Sequence, residues 1–198
     1  MMKRNPRLVI FDMDGTLTKP AIDFDGIRAE IGIESGTILE ALEAMPPEQR
    51  LRAMDIIERH ERVAARDSEL RDGVQEVLGF LRDRGVHTAI ATRNSLQSVR
   101  TVLQKHGLEV DRIDTREDGS VKPSARPVLD ICESLGLRPA SAWMVGDYIY
   151  DIQSGNSAGA TTVLLADEHQ PSEFIEQADH VIRNLRELIT ILGNGESK

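Results

Sequence analysis

The sequence predicts an α/β fold: a parallel sheet with helices on both faces and an all-helical segment inserted after the first strand. Short runs such as Leu8 to Phe11, Ala142 to Val145 and Thr161 to Leu165 are apolar throughout, as expected of strands buried on both faces. The segments between them place apolar residues at i, i+3, i+4 and i+7, the stripe of a helix packed on one side. Strands that alternate with helices in this way pair in parallel through right-handed crossovers.

Leu8 to Phe11 is the first strand, followed directly by Asp12-Met13-Asp14-Gly15-Thr16. From residue 71 the alternation is regular. Asp72 is placed to cap a helix carrying Val74, Val77, Leu78 and Leu81, which Gly85 stops, and Val86 to Ala91 is the next strand. Ser95 opens a helix with Leu96, Val99 and Leu103 on one face and Gly107 after its end. Ile113 marks a short strand, Pro127 to Leu135 a helix, Ala142 to Val145 a strand and Ile149 to Ala158 a helix. Thr161 to Leu165, then His180 to Ile182 and Leu185 to Leu192, close the chain as strand, strand and helix. The expected result is a Rossmann-like sheet.

Residues 19–70 break the rhythm. A strand-to-helix connection in such a fold usually takes about 2 to 6 residues, so this stretch must carry structure of its own. Its patterns are helical: one helix around Ile27 and Ile31, one opened by the capping box Thr37-x-x-Glu40, and one begun by Pro46-Pro47 and running through Leu51, Met54, Ile57 and Val63. The expected division is a core of residues 1–18 and 71–198 with a small helical cap of 19–70. Inserted at the ligand-binding edge of the sheet, these helices would act as a lid, an oligomer interface, or both.

Composition excludes several functions. Lys+Arg 24 against Asp+Glu 33 leaves a net charge of -9 with no basic patch, which argues against nucleic acid and anionic lipid as partners. The basic segment Met1 to Arg7 is followed by too short an apolar run for a signal peptide or a membrane span, so the expected location is the cytoplasm. Cys132 is the single cysteine and the five histidines are scattered, which excludes a disulfide framework and any zinc spacing.

The chemistry-bearing residues fall at strand ends. Asp12 and Asp14 are two carboxylates one residue apart at the end of a buried strand, where they repel and lose hydration unless a cation compensates. Magnesium is the first reading; an Asp-rich loop that caps the next helix is the other. Thr92 and Arg93 follow the second strand, where a hydroxyl and adjacent N–H groups suit phosphate oxygens, or where Thr92 simply caps a helix. Lys122-Pro123 places an ammonium in a loop. Gly146-Asp147-x-x-x-Asp151 repeats the opening pattern of buried strand, glycine and two acids, an arrangement for binding a hard cation through oxygen.

In order and type, Asp12-x-Asp14-Gly15-Thr16-Leu17-Thr18, Thr92, Lys122-Pro123 and Gly146-Asp147-x-x-x-Asp151 resemble the haloacid dehalogenase superfamily, and the helical insertion resembles the cap of its phosphoglycolate-phosphatase-like members. The resemblance implies that Asp12 is the nucleophile, Asp14 the general acid/base and Lys122 the charge-balancing residue. It also implies that Thr92 and Arg93 hold the phosphoryl oxygens and that Mg2+ is bound by Asp147, the Asp12 carboxylate and the Asp14 backbone carbonyl, with Asp151 either touching the metal or standing just beyond it. An acid at Asp14 goes with phosphoryl transfer rather than carbon–halogen cleavage. In the cap, Asp23, Phe24, Asp25 and Arg28 are candidate substrate contacts, as is Arg126, which stands in Ser124-Ala125-Arg126-Pro127 where related phosphatases often have an Asp and another Pro.

The implied activity is a magnesium-dependent phosphomonoesterase acting on a small phosphorylated metabolite, as a monomer or homodimer, through an aspartyl-phosphate intermediate. A phosphomutase of the same superfamily is the nearest alternative. A receiver-like signalling domain is disfavoured because Val86 to Ala91 ends in Thr92 rather than Asp. A catalytically silent regulatory protein is disfavoured because no motif residue is missing.

Overall fold

The computed structural model describes residues 5–34 and 36–193; Met1 to Arg4, most of the basic N-terminal segment, lie outside the described residues. Six strands, β1 Leu8–Phe11, β2 His87–Ala91, β3 Arg112–Asp114, β4 Ala142–Gly146, β5 Thr161–Leu165 and β6 His180–Ile182, form one sheet in the order β3-β2-β1-β4-β5-β6. Every neighbouring pair is parallel. The chain winds outward from β1 to β3 and then returns to the other side of β1 as β4. A crevice opens beyond the carboxyl ends of the strands at such a reversal. Asp12 follows β1 and Asp147 follows β4, so the topology delivers both acids to that crevice.

The helices are α1 Phe24–Ile31, α2 Ile38–Glu43, α3 Pro47–Asp67, α4 Val74–Asp83, α5 Leu96–His106, α6 Arg126–Ser134, α7 Ile149–Ala158, α8 Ser172–Gln177 and α9 Arg186–Gly193. Successive residues of β1 point to opposite faces. Val9 and Phe11 pack with Val77 and Leu81 of α4, Val99 of α5 and Leu188 of α9. Leu8 and Ile10 pack with Val128, Ile131 and Cys132 of α6. Side chains of this size, fully buried, contribute about 1.5–3 kcal/mol each, so β1 is pinned from both sides and the position of Asp12 with it. Cys132 serves as packing, its thiol pushed up to about 11 by burial.

Residues of the insertion build a cluster of their own, with Ile27, Leu42, Ala53 and Ile57 buried at its centre. The far end of α3 is different: Ala65 joins the core cluster and α3 packs along α5. Lys105 of α5 donates to the carbonyls of Arg66 and Ser68, both at 2.7 Å, and so satisfies the last turn of α3. The insertion is thus independent at one end and anchored on the sheet layer at the other.

Several local expectations are corrected. The inward stripe of α3 is Ala53, Ile57, Glu61, Ala64 and Ala65, and Leu51 and Val63 are exposed, because small residues allow the close approach to α5. Thr37 precedes α2 without a side-chain capping bond. Gly73, at φ +92°, rather than Asp72, stands before α4, since the Arg71 N–H is tied to the Leu17 carbonyl and the chain turns one residue later. The short helix α8 carries too few apolar residues to stand out in the sequence. No helix among the described residues is long and apolar enough to cross a membrane.

Candidate active site

The loop after β1 turns at Gly15, whose φ of +89° is the left-handed region that favours glycine. A Cβ there would come within 2.3 Å of the Asp147 carboxylate, so glycine is also needed for space. The turn lets Thr16 Oγ1 donate to Asp147 Oδ1 at 2.8 Å and so fixes one acid by the other's loop. Gly146 has the same function toward Asp151: a Cβ would lie 2.1 Å from its carboxylate.

Lys122 is the centre of charge. It is 3% exposed and its Nζ donates to Asp12 Oδ1 at 2.5 Å and to Asp151 Oδ1 at 2.6 Å. Burial works against its ammonium, but Asp12 and Asp151 outweigh burial and hold its pKa above the ordinary lysine range. Asp151 Oδ2 accepts the Tyr148 N–H at 3.0 Å, so both of its oxygens are engaged. Carboxylate oxygens of Asp12, Asp147 and Asp151 lie within 4.8 Å of one another. Three carboxylates against one ammonium leave two negative charges, and a divalent cation is the group that would balance them.

The titration pattern has the same cause. Burial raises Asp12 well above the usual carboxylate range; Lys122 opposes this, while Asp151, Asp147 and Asp14 add to it. Burial and the charge of Asp151 raise Asp147 to about 6. Burial also raises Asp14, against a hydrogen bond from Asn94 Nδ2 to its Oδ2 at 2.8 Å. Burial thus shifts Asp14 toward its protonated form, and the Asn94 bond holds it in a fixed direction, the two tendencies a proton donor needs.

Thr92 is buried at the end of β2, where its N–H donates to the Asp114 carbonyl at 3.0 Å and its Oγ1 accepts the Asn94 N–H at 3.1 Å. That leaves the hydroxyl hydrogen for another acceptor. Arg93 also lines the cavity; its guanidinium donates to the Lys122 carbonyl at 2.5 Å and to both oxygens of Glu40 in α2 at 2.8 Å, and it lies over the Tyr150 ring. It joins the insertion to the core.

These residues line a cavity of about 780 Å³ closed on the other side by the insertion, with Ile22, Phe24, Ile27, Ile38, Leu39 and Ile57 as an apolar wall and Arg28 and Glu61 as its charges. Of the five weaker candidates, Phe24 and Arg28 belong to that wall. Asp23 caps α1 by accepting the Gly26 N–H, Asp25 is exposed and paired with Arg28, and Arg126 is exposed and paired with Asp130 one turn on. Short acids near a helix start and an i, i+4 pair have local partners within reach, which explains why they do not turn inward.

Sequence reasoning missed Asn94, Thr16, Glu61 and Arg116. Asn94 and Thr16 stand inside the motif segments, but nothing in their type distinguishes an orienting residue from a turn residue. Glu61 had a signal: an acid one turn from Ile57 on a buried stripe. Its side chain is 6% exposed and its Oε1 accepts from Arg116 Nη1 at 2.5 Å, so α3 is tied to the 3₁₀ turn Arg116–Asp118 after β3. Burial raises its pKa, against Arg116.

Compared with known proteins, residues 21–159 match the family model for haloacid dehalogenase-like hydrolases, a range that includes Thr92, Lys122, Asp147 and Asp151. An uncharacterized hydrolase of Saccharomyces cerevisiae is 35% identical, over 95% of this chain and 91% of its own. An N-acetylmuramic acid 6-phosphate phosphatase of Pseudomonas aeruginosa is 26% identical over 97% of each chain. Among solved structures, a hydrolase from Pseudomonas syringae shares the fold with a TM-score of 0.82 at 21% identity, covering 94% of this chain and 97% of that one.

Proposed function

The chain belongs to the haloacid dehalogenase-like hydrolase family, and on that premise we propose that it is a magnesium-dependent phosphomonoesterase. It hydrolyses a small phosphorylated metabolite through a phosphoryl group carried on Asp12, with residues 19–70 as the cap over the site. The observation that carries this reading is the convergence of Asp12, Asp14, Thr92, Lys122 and Asp147 on one cavity at the carboxyl ends of β1, β2 and β4. Phosphatases among the relatives support the same reaction class.

In the first step Asp12 attacks phosphorus and the ester P–O bond breaks. Lys122 engages Oδ1, so Oδ2 is the attacking oxygen. Asp14, protonated and aimed by Asn94, gives its proton to the departing alkoxide oxygen. In the second step the now ionised Asp14 takes a proton from water as the water oxygen attacks phosphorus, the bond to Asp12 breaks and phosphate leaves. Thr92 donates its hydroxyl hydrogen to a phosphoryl oxygen throughout, and Lys122 offsets the charge that gathers there.

Mg2+ fits the donor set: Asp12, Asp147 and the Asp14 backbone carbonyl would hold it, and when bound it neutralises phosphoryl charge and fixes the angle of attack. Asp151, with both oxygens engaged, acts one step further out by holding Lys122 and the turn at Tyr148.

Hydrolysis of p-nitrophenyl phosphate is expected to require added Mg2+ after exhaustive chelation and to be poorly supported by Ca2+, whose looser coordination misplaces the attacking oxygen. The apparent Mg2+ affinity should fall as pH drops through about 6, because the proton that burial favours on Asp147 competes with the cation. Full activity in chelator would remove the cation from the reaction.

A further inference from the structure

Aromatic side chains are scarce in this chain, with four phenylalanines, two tyrosines and one tryptophan in 198 residues. Both tyrosines and Phe24 nevertheless line the cavity beside Asp12, and Phe174 of α8 packs on Tyr148. Phe24 opens α1 in the insertion and Tyr148 directly follows Asp147 in the core, so each side of the cavity contributes a ring. Phe24 is 51% exposed and Tyr148 50%, whereas Phe11 and Trp143 are buried against the sheet. Leu51, Val63, Ile175 and Val181 are exposed too, yet none of them lines the cavity.

Apolar surface left open to water is unfavourable, and on a cavity wall it is the surface that an organic ligand covers. The orientation of Tyr148 is fixed from two directions. It meets Tyr150 edge to face with centroids 5.1 Å apart and planes at 84°, and Phe174 in the same way at 5.3 Å and 86°. The Arg93 guanidinium lies 4.9 Å from the centre of the Tyr150 ring and holds that ring in turn. A ring braced in this way and half open is a preorganised surface for stacking. Ile22, Ile38 and Leu39 beside the rings offer no hydrogen-bonding side chain, so this part of the wall selects by shape and flatness.

Building on the phosphomonoesterase reading, we propose that Phe24 and Tyr148 are specificity residues that stack on a flat unsaturated ring in the leaving-group portion of the substrate. The substrate class is a phosphomonoester of an alcohol that bears an aryl or heteroaryl ring. One face of the selection belongs to the insertion through Phe24 and the other to the core through Tyr148.

The test uses the whole protein with Mg2+ and p-nitrophenyl phosphate as reporter, with two matched pairs of competitors: benzyl against cyclohexylmethyl phosphate, and 3-phenylpropyl against 3-cyclohexylpropyl phosphate. The saturated ring of each pair buries at least as much apolar surface, so burial alone does not favour the aromatic member. Stacking does, by about 2- to 10-fold for each ring pair, so two rings should place the aromatic Ki about 5- to 50-fold below its saturated partner at one of the two spacings. The spacing with the larger ratio gives the reach from phosphorus to the rings. Phe24→Leu and Tyr148→Leu keep apolar bulk, and leucine at 148 keeps the backbone N–H that Asp151 accepts; each should lower the ratio by about 2- to 10-fold. Phe24→Tyr should preserve it, which a change that merely loosened α1 would not. Ki values within about twofold of one another in both pairs overturn the proposal, with no variant needed. A ratio that survives in both leucine variants also overturns it and reduces the two rings to packing. Absence of any p-nitrophenyl phosphate hydrolysis is a separate outcome that defeats the phosphomonoesterase reading and this proposal with it.

Discussion

Asp12→Asn is expected to lower kcat on p-nitrophenyl phosphate by at least about 10⁴-fold, because the amide keeps the volume of the side chain and removes its nucleophilic oxygen. The fold should survive. Asp12 is buried beside Asp147 and Asp151, and burial, with these like charges adding to it, raises its pKa well above the usual carboxylate range against the pull of Lys122. A group whose folded pKa lies above its unfolded value loses its stabilising contribution as pH rises through the folded value. The neutral amide avoids that loss, so where Asp12 of the parent is ionised the metal-free variant should melt no lower than the parent, and Lys122 retains Asp151 as a partner. A calorimetric scan beside the kinetic assay checks both halves. A large drop in melting temperature would trace the lost activity to unfolding instead of lost chemistry.

Asp14→Asn should behave differently. General acid/base assistance is worth about 10²- to 10⁴-fold, and it is needed most where the leaving oxygen is strongly basic. In the first turnover, alkyl phosphate cleavage should fall by about that range, while release of p-nitrophenolate, a good leaving group, should fall much less. Without Asp14 to deprotonate water the second step slows for every substrate, so p-nitrophenolate should appear as a burst followed by a slow steady rate. Equal first-turnover losses on both ester types would assign Asp14 to geometry rather than proton transfer.

Much of the sheet and the site was legible in the sequence because their signals are local. Leu8–Phe11 and Thr161–Leu165 are short apolar runs bounded by turn residues, and the acids, Thr92 and Lys122 fall at strand ends, which one parallel sheet brings together. What was not legible depends on distant partners. Glu61 finds Arg116 fifty-five positions away and Arg93 finds Glu40 fifty-three positions away, and nothing near either residue names its partner. Leu51 and Val63 look like core residues by type, yet the small side chains Ala53, Ala64 and Ala65 take the inward face. Asp23, Asp25 and Arg126 look like substrate contacts by charge, yet each finds a nearer local partner. Local pattern identifies the chemistry at the end of a strand, whereas the shape of the cavity above it is set by contacts between elements.

The most direct test of the central claim is to stop the Asp14→Asn variant in acid during its first turnovers of p-nitrophenyl phosphate with Mg2+ and to map phosphorylation by peptide mass spectrometry. One phosphoryl group per protein is expected on the side chain of Asp12, formed in step with the burst and absent from the Asp12→Asn/Asp14→Asn double variant. A burst with no phosphoryl group on Asp12, or one found on another residue, would contradict it.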